Sequence, residues 1–222
     1  MSSNTRMRQT RDAWHRLACF VVAPARLARA GEIGLTPLPG GFGTPPLPDG
    51  TTIAVVVADL VVGDRVVPIT TLRDGAELVG IALSANPDVG SDLPPFEPDA
   101  PLVIDHAAAG VLADWYAHGA NALGRLGAGD GTVSAATLWP EHFDLAVTVE
   151  LPGGAGINIG FSPGDAASDE PYAYVGPWDR TGHDGPYWNT PFGALRTRQE
   201  VGQDAAVDAF IAEGISRVRQ GS

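Results

Sequence analysis

The chain has 222 residues, enough to bury one substantial core, and 44% of them are hydrophobic, as in a globular protein. No apolar run approaches the ~20 residues that a membrane-spanning helix needs, so we expect no membrane partner. The 26 acidic residues outnumber 14 basic ones, all arginine, and the formal charge of −12 repels phosphate backbones, which argues against a nucleic-acid partner.

The single cysteine, Cys19, excludes an intramolecular disulfide framework and a multi-cysteine zinc site, and is consistent with a reducing compartment. Arginines precede the apolar stretch that begins at Leu17, as in a signal peptide, but Arg16 and Arg26 flank it at helical spacing. The pattern therefore favours a helix of a cytoplasmic protein. It predicts Cys19 to be a small buried residue rather than a reactive thiol.

Residues 1–9 are polar, and we expect them to be disordered. The next segment has apolar residues at helical spacing and ends at Gly31, with Pro24 predicted to bend the helix or divide it. Residues 36–50 are rich in proline and glycine and predict a surface linker with only short extended pieces.

β-Branched residues dominate from Thr51 to Ile69, and the Gly63-Asp64 pair between two apolar runs predicts a β-hairpin. Thr71 is placed to cap a short helix that follows the hairpin. Residues 86–101 predict a second proline-rich linker.

Two longer helices are predicted in the second half of the chain. Asp105 is placed to cap the first, which carries a continuous apolar stripe that includes Val111 and ends in the glycine-rich segment 127–131. The second begins near Asp204 and has Val207 on its apolar face.

The segment from Leu138 to Val175 predicts three consecutive antiparallel strands, because its apolar and polar residues alternate. In the first strand, His142 and Asp144 face away from Phe143. Turns at 153–154 and 162–165 separate the next two strands. The alternation places polar side chains on one face of the sheet: His142, Asp144, Asn158, Ser162, Tyr172 and Tyr174.

A long, aromatic-rich loop, Gly176 to Phe192, follows the third strand. Long ordered loops often cover a binding site. We expect the loop to supply ligand-binding residues beside Asn158 and Ser162 of the polar face: Trp178, His183, Tyr187, Trp188 and Asn189.

Three interpretations of the polar face stay open. Imidazole and carboxylate groups are ordinary ligands of Zn, Mn and Fe, so one is a divalent metal held by His142, Asp144, Asp165 and His183. In another, Asp144 orients His142 as a general base, with Tyr172 or Tyr174 as proton donor. In the third, the cluster is structural, with a half-buried histidine satisfied by a carboxylate and tyrosines packing their rings.

Three motifs follow one another in this segment: Trp139-Pro140-Glu141-His142-Phe143-Asp144-Leu145, Ser162-Pro163-Gly164-Asp165 and Pro171-Tyr172-Ala173-Tyr174. They resemble a group of functionally uncharacterised, mainly actinobacterial proteins with a Trp-Pro-x-His-Phe-Asp-Leu strand, a Ser-Pro-Gly-Asp turn and a Pro-Tyr-x-Tyr strand. The matched piece is about a sixth of the chain. The resemblance implies a bacterial source, a shared architecture and a location for the site, but it names no reaction.

Together these features predict a single α+β domain in which one antiparallel sheet, built from the 51–69 hairpin region and the 138–175 meander, packs against three main helices. The leading functional hypothesis is the binding of a small polar ligand at the polar sheet face. The alternatives are a metal-assisted or His/Asp acid–base enzyme, and a structural protein that forms a homodimer or larger oligomer through an aromatic interface.

Overall fold

The computed structural model describes residues 2–127 and 131–221. Tertiary contacts divide the chain into two compact units, Met1–Ala117 with Leu138–Phe143 and His118–Thr137 with Asp144–Ser222. Helices and antiparallel sheets give an α+β fold, which confirms the predicted class. The hairpin region and the meander belong to two different sheets instead of the single sheet that we expected.

The N-terminal segment is helical. Helix α1 (Ser3–Leu17) is capped by Ser2, whose hydroxyl accepts a hydrogen bond from the Thr5 N–H at 3.2 Å. This cap satisfies a backbone donor of the first turn. The expected disorder over residues 1–9 is therefore not found from Ser3 onward.

The predicted break at Pro24 is confirmed. A π-helical turn (Ala18–Val22) separates α1 from α2 (Ala23–Ala30). Pro24 lacks an N–H, and a widened turn before it accommodates the missing helical hydrogen bond. Gly31 ends α2 in the left-handed conformation at φ 73°, also as predicted.

The first unit contains a five-stranded antiparallel sheet in chain order. Its strands are β1 (Thr36–Leu38), β2 (Gly41–Gly43), β3 (Ile53–Val56), β4 (Asp59–Val62) and β5 (Arg65–Pro68). Strands β4 and β5 form the predicted hairpin, with Gly63 at φ 58° in its turn. The proline-rich segment 36–50 supplies β1 and β2, and β2 pairs with β3 of the hairpin region. Strand β5 is exposed along its length.

Two predicted helix caps are confirmed. The Thr71 hydroxyl accepts the Asp74 N–H at 3.1 Å at the start of α3 (Leu72–Val79). The Asp105 carboxylate accepts the Ala108 N–H at 3.0 Å at the start of α4 (His106–Gly124). The chain passes from the first unit to the second within α4. Of the glycine-rich segment 127–131, residues 128–130 lie outside the described residues.

An aromatic cluster lies in the core of the first unit. The Trp14 ring meets Phe42 at 5.6 Å between ring centroids, and Phe42 meets Phe143 at 5.2 Å. The Tyr116 hydroxyl donates to the Phe143 carbonyl at 2.7 Å. Cys19 follows Trp14 on the N-terminal helical segment and is also buried. Its thiol donates a hydrogen bond to the Pro140 carbonyl at 3.0 Å.

Cys19 is expected to be unreactive in the folded protein. Burial raises the pKa of its thiol far above the ordinary value, so the nucleophilic thiolate is scarce. A thiol-reactive chromophore should not label the native chain at pH 8 within an hour, and should label one thiol per chain in strong denaturant. Rapid labelling of the native protein would contradict the burial.

The second unit contains the other antiparallel sheet. Its strands are β6 (Thr132–Val133), β8 (Asp144–Glu150), β9 (Gly156–Ser162), β10 (Tyr172–Pro177) and β11 (Ala194–Thr197), and the short strand β7 (Thr137–Trp139) spans the point where the chain passes between the units. Five of them run in the order β11-β10-β9-β8-β6, and β8 to β10 are the predicted meander. Helices α5 (Arg198–Val201) and α6 (Asp204–Gly221) complete the unit, with α6 beginning at Asp204 as predicted. Among the described residues, every helix is too short or too polar to cross a membrane.

The packing of α4 on β9 depends on Gly119. A Cβ at Gly119 would lie 2.6 Å from Cγ of the buried Phe161 ring, closer than packed atoms allow. By contrast, a Cβ at Gly110 of the same helix would meet no described side chain within 4 Å.

Alanine at these two glycines should change stability in opposite directions. Gly119→Ala should lower the free energy of unfolding by about 1–3 kcal/mol, because Phe161 must shift. Gly110→Ala should raise it by up to about 1 kcal/mol, because alanine is the better helix former. Urea denaturation of both variants checks this, and a shift of the same sign in both would contradict the packing.

Candidate functional site

One face of the β8–β9–β10 sheet carries the polar residues that the alternation predicts. Thr148 pairs with Asn158, and Tyr172 and Tyr174 pair with Ser162 and Gly160. Residues at intervals of two share a face, so this polar face unites Asp144, Asn158, Ser162, Tyr172 and Tyr174. Ile159 and Val175 lie on the opposite face and are fully buried, also as predicted.

His142 does not lie on this face. Strand β8 begins at Asp144, and Phe143 before it has a φ of 51°, which breaks the alternation between His142 and Asp144. Phe143 is buried and its ring stacks on His15, at 5.4 Å between centroids, within the first unit. His142 is left in an exposed turn, with Nε2 3.6 Å from Oε1 of Glu141. The prediction that His142 and Asp144 lie side by side on one face of a strand is therefore wrong.

At one end of the polar face, two tyrosines are each paired with an aspartate. The Tyr174 ring lies across Gly160, where a Cβ would come within 2.6 Å of it, and its hydroxyl donates to Oδ2 of Asp144. The Tyr172 hydroxyl donates to Oδ2 of Asp165 at 2.6 Å. Burial, and then the neighbouring carboxylates, raise the pKa of both phenols far above the ordinary value. Both tyrosines therefore stay protonated at neutral pH and act as hydrogen-bond donors.

Ser162 also lies at this end and is 2% exposed. Its hydroxyl accepts the Gly164 N–H at 3.1 Å, which shapes the turn before Asp165. The Asp165 carboxylate in addition accepts the Ala167 N–H at 2.7 Å. These contacts make the Tyr–Asp end a folded hydrogen-bonded cluster.

The two tyrosine hydroxyls should contribute unequally to stability. Tyr174→Phe removes a donor from Asp144, which is 7% exposed, and should lower the free energy of unfolding by about 1–3 kcal/mol. Tyr172→Phe is the matched control, because Asp165 is exposed and solvent replaces the lost donor, so the loss should stay below about 1 kcal/mol. Thermal and urea denaturation compare the pair. Equal losses would contradict the difference in burial.

At the other end of the polar face, Trp178 lies flat on the sheet. A Cβ at Gly156 would be 2.2 Å from its indole ring, so only glycine leaves room for the ring. The Trp178 Nε1–H donates to Oδ1 of Asn158 at 3.1 Å, and the Thr148 hydroxyl donates to the same oxygen at 3.1 Å. The ring is thus held in one orientation while its side chain remains 55% exposed.

A pocket of about 340 Å³ opens beside Trp178. The glycine-rich turn 153–156 forms one side, and the loop after β10 forms the other with Trp178, Asp179, Thr181 and His183. The Asp179 carboxylate accepts the Thr181 N–H at 2.8 Å, and this hydrogen bond holds the pKa of Asp179 below its usual value. We call this the His183 pocket.

His183 has an uncommon environment in this pocket. It is 7% exposed and its ring meets Trp188 at 5.1 Å between centroids. Its backbone N–H donates to the Arg180 carbonyl, but neither ring nitrogen has a hydrogen-bond partner among the described residues. Among the described residues, these nitrogens are not fully enclosed, so the imidazole keeps unused hydrogen-bonding capacity that is open to the pocket.

The other loop residues that were predicted to bind a ligand instead fix the conformation of the loop. The Tyr187 hydroxyl donates to the Phe210 carbonyl at 2.8 Å, and the Trp188 ring packs edge-on against Tyr187. Asn189 bonds both the N–H and the carbonyl of Leu195 on β11. These three residues hold the segment that carries His183.

The four predicted metal ligands are not gathered in one place. Asp144 and Asp165 bond different tyrosines, His183 lines the pocket, and His142 lies in the first unit. Across residues 2–127 and 131–221, no three His, Cys, Asp or Glu side chains come together as a metal site requires.

The sequence predicted the turn at 153–154 but not its place in the wall of a pocket, and it did not predict the role of Thr181 or strand β11. One signal was available. Gly156 and Gly160 occupy positions of the polar face where a side chain is expected, and large aromatic residues follow at four-residue spacing on the neighbouring strand. No protein-family model, curated protein or solved structure matches this chain. The chemistry of the site itself is therefore the basis for a functional proposal.

Proposed function

We propose that this chain binds a small polar molecule in the His183 pocket. The supporting observation is the imidazole of His183, which is buried, lines the pocket and has no hydrogen-bond partner for its ring nitrogens among the described residues. Because these nitrogens are open to the pocket, a ligand there can bond the ring in place of solvent, and a hydrogen bond of this kind contributes about 0.5–1.5 kcal/mol.

The size and the walls of the pocket agree with this proposal. Its volume of about 340 Å³ lies at the lower end of the range for ligand pockets, which run from about 300 to 1,000 Å³. Trp178 supplies a flat aromatic wall, and Asp179 and Thr181 supply polar atoms. The walls thus combine an apolar ring with polar groups, and a few placed polar groups fix the orientation of a ligand in a small-molecule site.

Acid–base catalysis at the tyrosines has less support. The raised pKa of Tyr172 and Tyr174 makes them weak acids at neutral pH, whereas an efficient catalytic acid has a pKa near the working pH. His142, the expected base, lies outside the strand. Binding is therefore the function that the geometry favours.

Ligand-observed NMR with glucose, putrescine and succinate as separate probes tests the proposal. At least one probe should bind the wild-type chain and lose its signal in Thr181→Trp, whose indole fills the pocket. Gln199→Trp, on the exposed side of α5, is the control for an added tryptophan and should bind as the wild type does. The proposal fails if no probe binds or if the filled pocket binds unchanged.

Replacing the imidazole should separate binding from stability. His183→Phe keeps a ring against Trp188 but removes both ring nitrogens, so the bound probe should be lost. Because those nitrogens have no partner among the described residues, the free energy of unfolding should stay within about 0.5 kcal/mol or rise. Titration calorimetry and urea denaturation of the same variant check both results. A loss above about 2 kcal/mol would identify His183 as a structural residue instead.

A further inference from the structure

The surface that Trp178 offers to a ligand is the face of its ring. One side of the indole covers Gly156, and the Nε1–H is already donated to Asn158. A bound molecule cannot use the indole N–H without breaking that bond. The exposed side of the ring therefore interacts only through apolar contact and through its π electrons, which attract cations.

The charged groups around this ring are acidic. Glu150 lies directly across the strand pair from Gly156, the residue that the Trp178 ring covers, and its side chain is exposed. Asp179 follows Trp178 in the chain and lines the pocket, with a lowered pKa that keeps it ionised. The exposed indole thus has Asp179 next to it in the chain and Glu150 on the strand that pairs with the glycine it covers.

Among the described residues, the nearby Arg180 forms no ion pair with these carboxylates. The Arg180 guanidinium lies 5.4 Å from the centroid of the Trp188 ring, and its Nη2 donates to the Thr190 carbonyl at 3.3 Å. The chain as a whole carries a formal charge of −12. The net negative charge and the two carboxylates favour a cation over an anion as the occupant of the pocket.

We propose that the ligand of the His183 pocket is a small organic cation, an alkylammonium or substituted ammonium, seated on the exposed face of Trp178. This inference rests on the proposed binding function and adds the ligand's chemical class. The ammonium lies over the indole, with Glu150 and Asp179 as counter-charges. A ring nitrogen of His183 forms a hydrogen bond with a polar group of the ligand.

Two other classes fit the site less well. A phosphate or carboxylate ligand would meet Glu150 and Asp179, and no arginine is among the described residues that line the pocket. A neutral sugar could stack on Trp178 but would gain nothing from the two charges. The volume of about 340 Å³ restricts the occupant to the size of a small metabolite.

Titration calorimetry with four probes tests the class: putrescine and choline as cations, glucose as a neutral molecule and succinate as an anion. At low ionic strength, at least one cation should bind tenfold or more tightly than glucose and succinate. Trp178→Leu, which keeps an apolar wall but removes the π face, should weaken that cation by about threefold to thirtyfold.

Charge variants separate the pocket from general attraction to an acidic chain. The double variant Glu150→Gln with Asp179→Asn should weaken cation binding at least fivefold. Asp64→Asn, at the exposed turn of the β4–β5 hairpin, also removes a negative charge and should leave the affinity unchanged. Equal effects of the two changes would show that net charge alone attracts the cation, and would overturn the inference.

The outcomes also distinguish this inference from the binding function itself. Binding of glucose or succinate in preference to both cations, lost in His183→Phe, would overturn the cation class and leave the pocket as a binding site. If none of the four probes binds, both proposals fall. Cation binding that survives both Trp178→Leu and the double charge variant would overturn the cation site at this ring.

Discussion

The second unit depends on a packing constraint between two neighbouring strands. Gly156 and Gly160 of β9 have no side chains, and the rings of Trp178 and Tyr174 occupy that space. Aromatic side chains that would otherwise stand away from the sheet lie flat across it instead. The Tyr174 hydroxyl then reaches Asp144, and the Trp178 indole reaches Asn158. The same constraint therefore produces a closed hydrogen-bonded cluster at one end of the face and an open aromatic surface at the other.

The two ends of the polar face have different chemistry, although they share one strand. Tyr174 and Trp178 are four residues apart on β10 and its continuation, roughly 13 Å along an extended chain. At the Tyr–Asp end the hydroxyls and carboxylates bond one another, which favours a structural role. At the Trp178 end, a hydrogen bond to Asn158 fixes the indole, but its outer face is exposed. The ring nitrogens of His183 have no hydrogen-bond partners among the described residues. Unused bonding capacity beside a cavity distinguishes a binding surface from a well-packed core.

Local chemistry made several elements predictable from the sequence. The caps at Thr71 and Asp105, the hairpin turn at Gly63 and the break at Pro24 each follow from hydrogen bonding or backbone geometry within a few residues. The alternation of β8 to β10 likewise predicted which side chains of the meander share a face.

The remaining features were set by contacts between residues far apart in sequence. Phe143 adopts a positive φ where its ring meets Phe42 and Tyr116, which are 101 and 27 residues away in the sequence, and this turn removed His142 from the strand. The proline-rich segment 36–50 forms two strands because β3 of the hairpin region offers hydrogen-bonding partners to β2. The His183 pocket forms where a loop returns to a distant glycine turn. The spacing of apolar residues along the chain contains no information about such long-range contacts.

Strand β5 is one of the two edge strands of the first sheet, and its residues oppose self-association along that edge. An unpaired strand edge can template the addition of another chain, especially where it is long and apolar. Here Val66 is 62% exposed, but the strand is only four residues long, with Arg65 at its start and Pro68 at its end. The charge opposes close approach of a second copy, and the proline offers no N–H to an added ladder. The chain therefore carries a short, guarded edge that resists the growth of intermolecular β-structure.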